Sequence, residues 1–319
     1  MRRWIVFVIA VLVLGGGAIY AVFRHDMAAA RARLAGRSEV IETTSGRLEY
    51  AVAGRGEPVL AVHGAAGGFD QALDMTGALA GRGYRVIAPS RFGYLRSARP
   101  PGLSTEMQAD AYVELLDRLG VDKVSVVAIS AGAWSALQFA ARHPERCRAL
   151  VLLAPADYLP EGTAIRGGPL VDAMFKSDFV AWAALKATPI ARGSMSRMML
   201  GTDAAVVREA APAEKARVRE VLEHLLPVGQ RTAGMRFDVE TAAARSTPYP
   251  IEKITCPVLA ISAEDDAFGT AARARQIASR VPDGRAVVFP TGGHALVGRY
   301  PAALQAITAF LAEPGGRPQ

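Results

Sequence analysis

Cysteine is scarce in this 319-residue sequence, and the common motifs for binding metals or phosphate are missing. Only two cysteines occur, Cys147 and Cys256, which excludes a disulfide-rich framework and predicts two buried free thiols. The five histidines show no H-x-x-x-H spacing, so no metal site is predicted. The glycine-rich loop at residues 63–68 lacks the lysine that a P-loop requires. We therefore expect neither a metal nor another cofactor.

Basic residues outnumber acidic ones, but they are not arranged as in a nucleic-acid-binding protein. The net charge is +7 and the pI is about 9.7. Most of the arginines are scattered through predicted helices instead of clustering with aromatic residues on one face, so no nucleic-acid partner is expected. The exception is a group close to the N-terminus, where basic residues suit a membrane surface: Arg24, Arg31, Arg33 and Arg37.

Residues 4–23 form a long apolar run near the N-terminus. At 1.5 Å per residue a helix of this length spans about 30 Å, the thickness of the hydrocarbon core of a bilayer. A cleaved signal sequence is the alternative, although its apolar region is usually shorter. We predict an uncleaved membrane anchor in residues 1–27 and a juxtamembrane helix or linker in 28–37. The flanking arginines barely bias the orientation, and we expect the body outside the cytoplasm.

After residue 38, short apolar strands alternate with helical segments, which predicts an α/β fold with a mostly parallel sheet covered on both faces. A strand hairpin opens this part, and Thr105 with Gln108 suggests a capping box at the start of one helix. The alternation stops at residue 156 and resumes near 251. We expect a core formed by 38–155 and 251–319, with a helical cap at 156–250.

Ser130 stands at a sharp transition from a strand to a helix. Small residues flank it, Ala128 two positions before and Gly132 two positions after, in the form of the nucleophile elbow G-x-S-x-G. The tight turn requires small neighbours, and alanine still fits. A serine that merely caps the following helix is the alternative for this short motif taken alone.

Two further reactive side chains follow predicted strands, an aspartate at 265 or 266 and His294. The carboxyl ends of parallel strands meet at one edge of a sheet, where ligands bind in open α/β folds. A serine hydroxyl is a weak nucleophile and needs a base, which in turn needs an orienting carboxylate. The order serine, aspartate, histidine is the one expected in an α/β hydrolase.

From residue 38 to 311 the sequence resembles the α/β-hydrolase-fold family, in the branch with a serine nucleophile and a cap. The resemblance rests on several motifs together: His63-Gly64, Pro89-Ser90-Arg91-Phe92-Gly93-Tyr94, Ala128-Ile129-Ser130-Ala131-Gly132, Ala263-Glu264-Asp265-Asp266 and Gly292-Gly293-His294.

The resemblance implies a role for each matching residue. Ser130 would be the nucleophile, His294 the general base and Asp266 the acid, because Ala263 stands at the glycine of the family's G-x-x-D pattern. The oxyanion hole would consist of the backbone N–H groups of Ala131 and Ala65, with Ala66 as the second choice for the latter.

A serine elbow implies an acyl carbonyl substrate and disfavours the aspartate-dependent branch that attacks epoxides or carbon–halogen bonds. We expect hydrolysis of a small apolar carboxylic ester or related acyl compound through an acyl-enzyme. Hydrolysis of a carbon–carbon bond next to a carbonyl, acyl transfer or perhydrolysis on the same triad, and a ligand-binding sensor with little turnover remain the alternatives.

Overall fold

The computed structural model describes residues 1–156, 173–187, 197, 200–243 and 251–313. Its strands are β1 Glu39–Thr43, β2 Gly46–Ala53, β3 Glu57–Val62, β4 Tyr84–Pro89, β5 Val124–Ile129, β6 Cys147–Leu153, β7 Val258–Ala263 and β8 Gly284–Phe289. They form one sheet in the order β1-β2-β4-β3-β5-β6-β7-β8. β2 is antiparallel to β1 and β4, and all other neighbours are parallel, which confirms the predicted mostly parallel sheet.

Helices cover both faces of this sheet. In chain order, the helices are α1 Arg2–Leu34, α2 Phe69–Thr76, α3 Thr105–Arg118, α4 Gly132–Arg142, α5 Asp178–Ala187, α6 Ala204–Glu209, α7 Pro212–Glu223, α8 Thr232–Ala243, α9 Thr270–Arg280 and α10 Tyr300–Leu311. Short 3-10 helices occur at Gly77–Arg82, Val228–Gln230 and Ile251–Lys253.

The central strand β5 is buried along its whole length, and its alternate residues serve two different cores. Val126 packs in the cluster that contains Phe139 of α4, whereas Val127 packs in the opposite cluster with Phe69 of α2 and Phe310 of α10. Burying an apolar side chain of this size stabilises a fold by about 1.5 to 3 kcal/mol. The β-branched run therefore fixes the strand that carries Ser130 in the middle of the sheet.

The start of α3 differs from the predicted capping box. The N-cap is Ser104, whose hydroxyl accepts a hydrogen bond from the backbone N–H of Met107. The side chain of Gln108 is used elsewhere, because its Oε1 accepts the backbone N–H of Phe92 in the loop after β4. Gln108 therefore makes a long-range hydrogen bond instead of capping the start of α3, as the local motif predicted.

Helix α1 is apolar and exposed in its first two thirds. Its most apolar 18-residue window has a mean hydropathy of 2.7 and is 0% buried, so the helix is long and apolar enough to cross a membrane. Signal sequences share this property. The helix therefore supports either a membrane anchor or a signal sequence at residues 4–23.

The last third of α1 packs against the rest of the chain. Residues 28–37, expected to form a juxtamembrane helix or linker, are helical as far as Leu34. Met27 is buried against the insertion helices, and Asp26 accepts a hydrogen bond from Trp182 Nε1 of α5 at 2.9 Å. Arg33 donates to Asp70 at 2.7 Å. These contacts tie the N-terminal helix to both the core and the insertion.

The insertion between β6 and β7 contains helices α5 to α8 and docks on the loop after β4. Of the predicted cap at 156–250, residues 157–172, 188–196, 198–199 and 244–250 lie outside the described residues. The backbone N–H of Gly234 donates to Gly93 O at 2.8 Å. A Cβ at Gly234 would lie 2.1 Å from the Tyr94 ring, so only glycine permits this approach.

A buried ion pair joins α2 to the insertion. Arg231, which is 0% exposed, donates to both carboxylate oxygens of Asp70. Burial alone would raise the pKa of Asp70, but the charges and hydrogen bonds of Arg231 and Arg33 hold that pKa well below its usual value. The carboxylate is therefore ionised in the folded protein at neutral pH.

We expect Asp70→Asn to lower the free energy of unfolding by about 2 kcal/mol at pH 7. A lowered folded-state pKa stabilises the fold above the unfolded-state pKa of about 3.9, and this stabilisation disappears as the pH falls through the folded-state pKa. Urea unfolding at pH 7, 5 and 3 should show the same deficit at the first two values and a smaller one at pH 3. A deficit that does not depend on pH would contradict this assignment.

Candidate active site

Ser130 follows β5 in a strained turn. Its φ of 49° lies in the left-handed region, which is uncommon for a residue other than glycine. A Cβ at Gly132 would come within 2.6 Å of His63 O and 2.7 Å of Val62 O, so the helix that follows can approach β3 only without a side chain there. Ala128 is fully buried and replaces the first glycine of the motif without disturbing the turn.

The loops after β5, β7 and β8 bring Ser130, Asp266 and His294 together in a hydrogen-bonded chain. His294 Nε2 lies 2.9 Å from Ser130 Oγ, and His294 Nδ1 lies 2.8 Å from Asp266 Oδ2. An ionised carboxylate can only accept, so Nδ1 carries the proton and Nε2 is left to accept the hydroxyl proton of Ser130. This arrangement orients a base toward a potential nucleophile.

The surroundings of Asp266 keep its carboxylate charged. Burial raises its pKa, but hydrogen bonds from His294, from the Thr270 hydroxyl and from the backbone N–H of Phe268 outweigh burial and lower the pKa overall. The neighbouring Asp265 lies differently, since it accepts the backbone N–H groups of Gly292 and Gly293. Of the two aspartates after β7, Asp266 therefore contacts His294, and Asp265 holds the loop that carries His294.

The loop that carries His294 packs closely against Gly201 and Thr202 of the insertion and against Phe268. A Cβ at Gly201 would lie 2.8 Å from His294 Cβ, and one at Gly293 would lie 2.2 Å from Thr202 Oγ1. The ring of Phe268 packs edge-on against the imidazole with a centroid distance of 4.9 Å and is 46% exposed. The sequence motifs did not indicate Phe268 or Gly201, because neither has a local pattern that marks it.

The loop after β3 places Gly64 beside the elbow, where a Cβ would lie 3.1 Å from Ser130 Cβ. The backbone N–H groups of Ala65 and Ala131 have no hydrogen-bond acceptor within the part of the chain that the structure describes. Gln71 braces this loop, accepting from the Gly64 N–H at 2.9 Å. Ala131 directly follows Ser130 in the sequence, and Gly64, the residue before Ala65, lies beside Ser130 in space.

His63 is a buried structural residue at the root of the same loop. Its Nε2 accepts the backbone N–H of Arg91, which leaves Nδ1 to donate to Gly64 O at 2.7 Å. Burial and the charge of Arg91 hold the pKa of His63 well below its usual value. The imidazole is therefore neutral, and its two hydrogen bonds connect the loops after β3 and β4.

A buried ion pair links the loop after β4 to the insertion. Arg91 donates through two nitrogens to Asp238 of α8, each at 2.7 Å, and its Nη2 also donates to Gly64 O at 3.0 Å. Burial and the charge of Asp238 raise the pKa of Tyr94, so its hydroxyl keeps its proton and donates to Asp238. The sequence motif contained Arg91 and Tyr94, but no local pattern indicated Asp238.

One group of metal-binding side chain types occurs away from these residues. The ligand atoms of Asp74, Glu220 and His224 lie within 4.8 Å of one another. His224 Nδ1 is already hydrogen-bonded to Asp74 Oδ2 at 2.5 Å, so a cation would have to compete with this contact. The group has no contact with Ser130 or His294 in the described part of the chain and does not take part in the arrangement above.

Known proteins share this fold and parts of this sequence. An uncharacterized hydrolase of Bacillus subtilis (strain 168), YcgS, is 42% identical over 116 residues, which cover 36% of this chain and only 40% of that relative. A 2-hydroxy-6-oxo-6-phenylhexa-2,4-dienoate hydrolase of Burkholderia cepacia is 26% identical over 261 residues, 78% of this chain and 85% of the relative.

A solved structure agrees with the topology. The alpha/beta hydrolase fold protein from Nakamurella multipartita superposes with a TM-score of 0.67 and 27% sequence identity, covering 86% of this chain and 98% of that one. The family model described as the alpha/beta hydrolase fold matches residues 57–298, about three quarters of the sequence. The chain is therefore a hydrolase that belongs to the alpha/beta hydrolase fold family.

Proposed function

We propose that this protein is a serine hydrolase that cleaves a carboxylic ester or a related acyl compound through an acyl-enzyme. The observation that carries the proposal is the continuous hydrogen-bonded chain from Ser130 Oγ through His294 to Asp266 Oδ2. This chain ends on a serine in a strained turn, and the N–H groups of Ala65 and Ala131 have no acceptor among the described residues. Proton transfer, nucleophilic attack and charge stabilisation can therefore take place at one point.

In the proposed reaction Ser130 Oγ attacks the carbonyl carbon while His294 Nε2 takes the hydroxyl proton. The tetrahedral intermediate collapses, His294 gives this proton to the departing alkoxide, and the acyl group remains on Ser130. Water then attacks the acyl-enzyme with His294 as base, which releases the carboxylic acid and restores the serine. Asp266 stays ionised throughout and stabilises the imidazolium that forms after each proton transfer.

The negative charge of the intermediate requires preorganised donors. We assign this role to the backbone N–H groups of Ala131, the residue after Ser130, and of Ala65, the residue after Gly64. Arg91 and Gln71 hold the first of these loops by hydrogen bonds to Gly64. Such donors typically contribute a factor of about 10² to 10³ each to the rate.

A carbon–carbon bond hydrolase is the second candidate, favoured by the relative from Burkholderia cepacia. The compound in that relative's name carries a ketone and a carboxylate but no ester. A free cation at the site would favour binding of a dienoate carboxylate. The buried arginines that the structure describes are already paired: Arg91 with Asp238, Arg231 with Asp70 and Arg148 with Glu57. This pairing supports a neutral substrate over a dienoate.

An apolar substrate is supported by the ring of Phe268. It lies against His294 and leaves nearly half of its surface exposed beside the reacting atoms. An exposed aromatic ring at this place offers a contact surface to the acyl chain or the alcohol of the ester. The membrane helix would keep the enzyme close to the apolar esters that partition into a bilayer.

The test is hydrolysis of p-nitrophenyl esters from acetate to dodecanoate by the full chain in phosphatidylcholine nanodiscs, with 2-hydroxy-6-oxo-6-phenylhexa-2,4-dienoate alongside. We expect the esters to be turned over, with a kcat/KM at least tenfold above that for the dienoate. Phe268→Ala should lower kcat/KM for the longer esters by about tenfold and for acetate by much less, since it removes only apolar contact. Preferred cleavage of the dienoate would favour the second candidate instead.

A further inference from the structure

A cavity of about 740 Å³ lies between the C-terminal third of α1 and the insertion helices α5, α6 and α7. None of Ser130, Asp266 and His294 lines it. Its size is typical of pockets that enclose one small organic molecule. The interior is largely apolar and contains residues from each of the four helices and from the segment before α6: Ala30, Trp182, Leu200, Val207, Val218 and Leu222.

Positive charges surround this apolar interior. Arg208, Lys215 and Arg219 line the cavity, are exposed, and form no ion pair with any residue in the described ranges. The acidic Asp26 at the opposite wall is already bound by Lys186 at 2.9 Å. Glu223 is the other carboxylate of the lining. Three unpaired cations against one exposed carboxylate leave the cavity with a surplus of positive charge.

The cavity also has a fixed place relative to the apolar helix. Asp26 lines it and comes three residues after Phe23, the end of the apolar run, which is about 4.5 Å along a helix. If residues 4–23 cross a bilayer, the cavity lies at the level of the lipid headgroups. Cationic side chains at that level attract anionic lipid components.

We propose that this cavity binds a single-chain anionic amphiphile, a long-chain fatty carboxylate drawn from the membrane. The alkyl chain lies among the apolar residues between α1 and α7, and the carboxylate lies between Arg208, Lys215 and Arg219. Apolar contact supplies most of the affinity, and the cations select for the charged headgroup. We expect a single alkyl chain in a space of this size. Binding there does not depend on Ser130.

Trp182 lines the cavity and reports on its occupancy. The experiment uses the full chain with Trp4→Phe in phosphatidylcholine nanodiscs, titrated with 9,10-dibromostearate, whose bromine atoms quench tryptophan fluorescence on contact. We expect saturable quenching in this protein. The saturable part should disappear when Trp182→Phe is added, because the remaining Trp134 is buried in α4.

The triple variant Arg208→Gln, Lys215→Gln, Arg219→Gln tests the headgroup assignment. These side chains are exposed, so the fold should persist, and we expect the affinity for dibromostearate to fall at least about tenfold. Binding of its uncharged methyl ester should be unchanged. As a matched control, Arg236→Gln removes an exposed arginine that does not line the cavity and should have no effect.

Two results would overturn the proposal. One is quenching that rises linearly and is the same with and without Trp182, which would mean that the probe acts only from the bilayer. The other is equal loss of affinity for the acid and the methyl ester in the triple variant. Saturable quenching should persist in Ser130→Ala. The binding proposal and the proposed hydrolase function can therefore fail independently of each other.

Discussion

Replacing Ser130 with alanine is expected to lower kcat for ester hydrolysis by about 10⁴- to 10⁶-fold. The substitution removes the oxygen that attacks the carbonyl and leaves His294 and Asp266 with their mutual hydrogen bond. The strained φ at this position costs alanine about as much as serine, so stability should change little. Initial rates on p-nitrophenyl butyrate and urea unfolding of both proteins measure the two effects.

Ser279→Ala serves as the matched control, because Ser279 is an exposed serine of α9 whose hydroxyl donates to the backbone carbonyl of Gln276 in its own helix. It should keep full activity. If Ser130→Ala kept more than about a tenth of the wild-type kcat while folding normally, Ser130 would not be the nucleophile, and the acyl-enzyme route would be wrong.

Breaking the buried pair of Arg91 and Asp238 is expected to cause the largest loss of stability. Both side chains are at most 5% exposed, so removing either one leaves an unpaired charge in the interior. Arg91→Met and Asp238→Leu should each lower the free energy of unfolding by about 3 to 5 kcal/mol. In the double variant the loss should be smaller than the sum by about 2 kcal/mol or more, because no unpaired charge remains. Urea unfolding of the wild type, the two single variants and the double variant completes this double-mutant cycle.

The exposed pair of Arg99 and Glu240 provides the control, since it joins the same loop to the same helix α8 at 3.0 Å. Arg99→Met should cost about 0.5 kcal/mol or less. In addition, Arg91→Met should lower kcat, because Gly64 O loses one of its donors and is then held by His63 without Arg91. Additive losses in the cycle would contradict the view that the two charges stabilise each other.

The fold and the reactive side chains were predictable because local patterns encode them. The β-branched run before Ser130 gives a strand buried on both faces, and the small residues around it give the turn. His294 follows a glycine pair at the end of the last strand. The choice between Asp265 and Asp266 needed the spacing of a family motif, since both stand at the same strand end and only the structure shows which one contacts the imidazole.

The contacts that connect the site to the insertion could not be predicted, because they join residues far apart in the sequence. Asp238 pairs with Arg91 across 147 positions, and Arg231 with Asp70 across 161. Neither Asp238 in α8 nor Arg231 in the turn before α8 stands in a distinguishing sequence pattern. The predicted capping box at Thr105 was wrong for the same reason. Gln108 Oε1 accepts a hydrogen bond from the backbone N–H of Phe92, which is distant in the sequence.

The proposed reaction requires that Ser130 is a nucleophile activated by His294. The most direct measurement is to treat the full chain in nanodiscs with a fluorophosphonate probe and locate the adduct by peptide mass spectrometry. We expect one adduct, on Ser130, that forms in step with loss of esterase activity and is strongly reduced in His294→Ala. No adduct in active, folded protein, or an adduct on another residue, would contradict it.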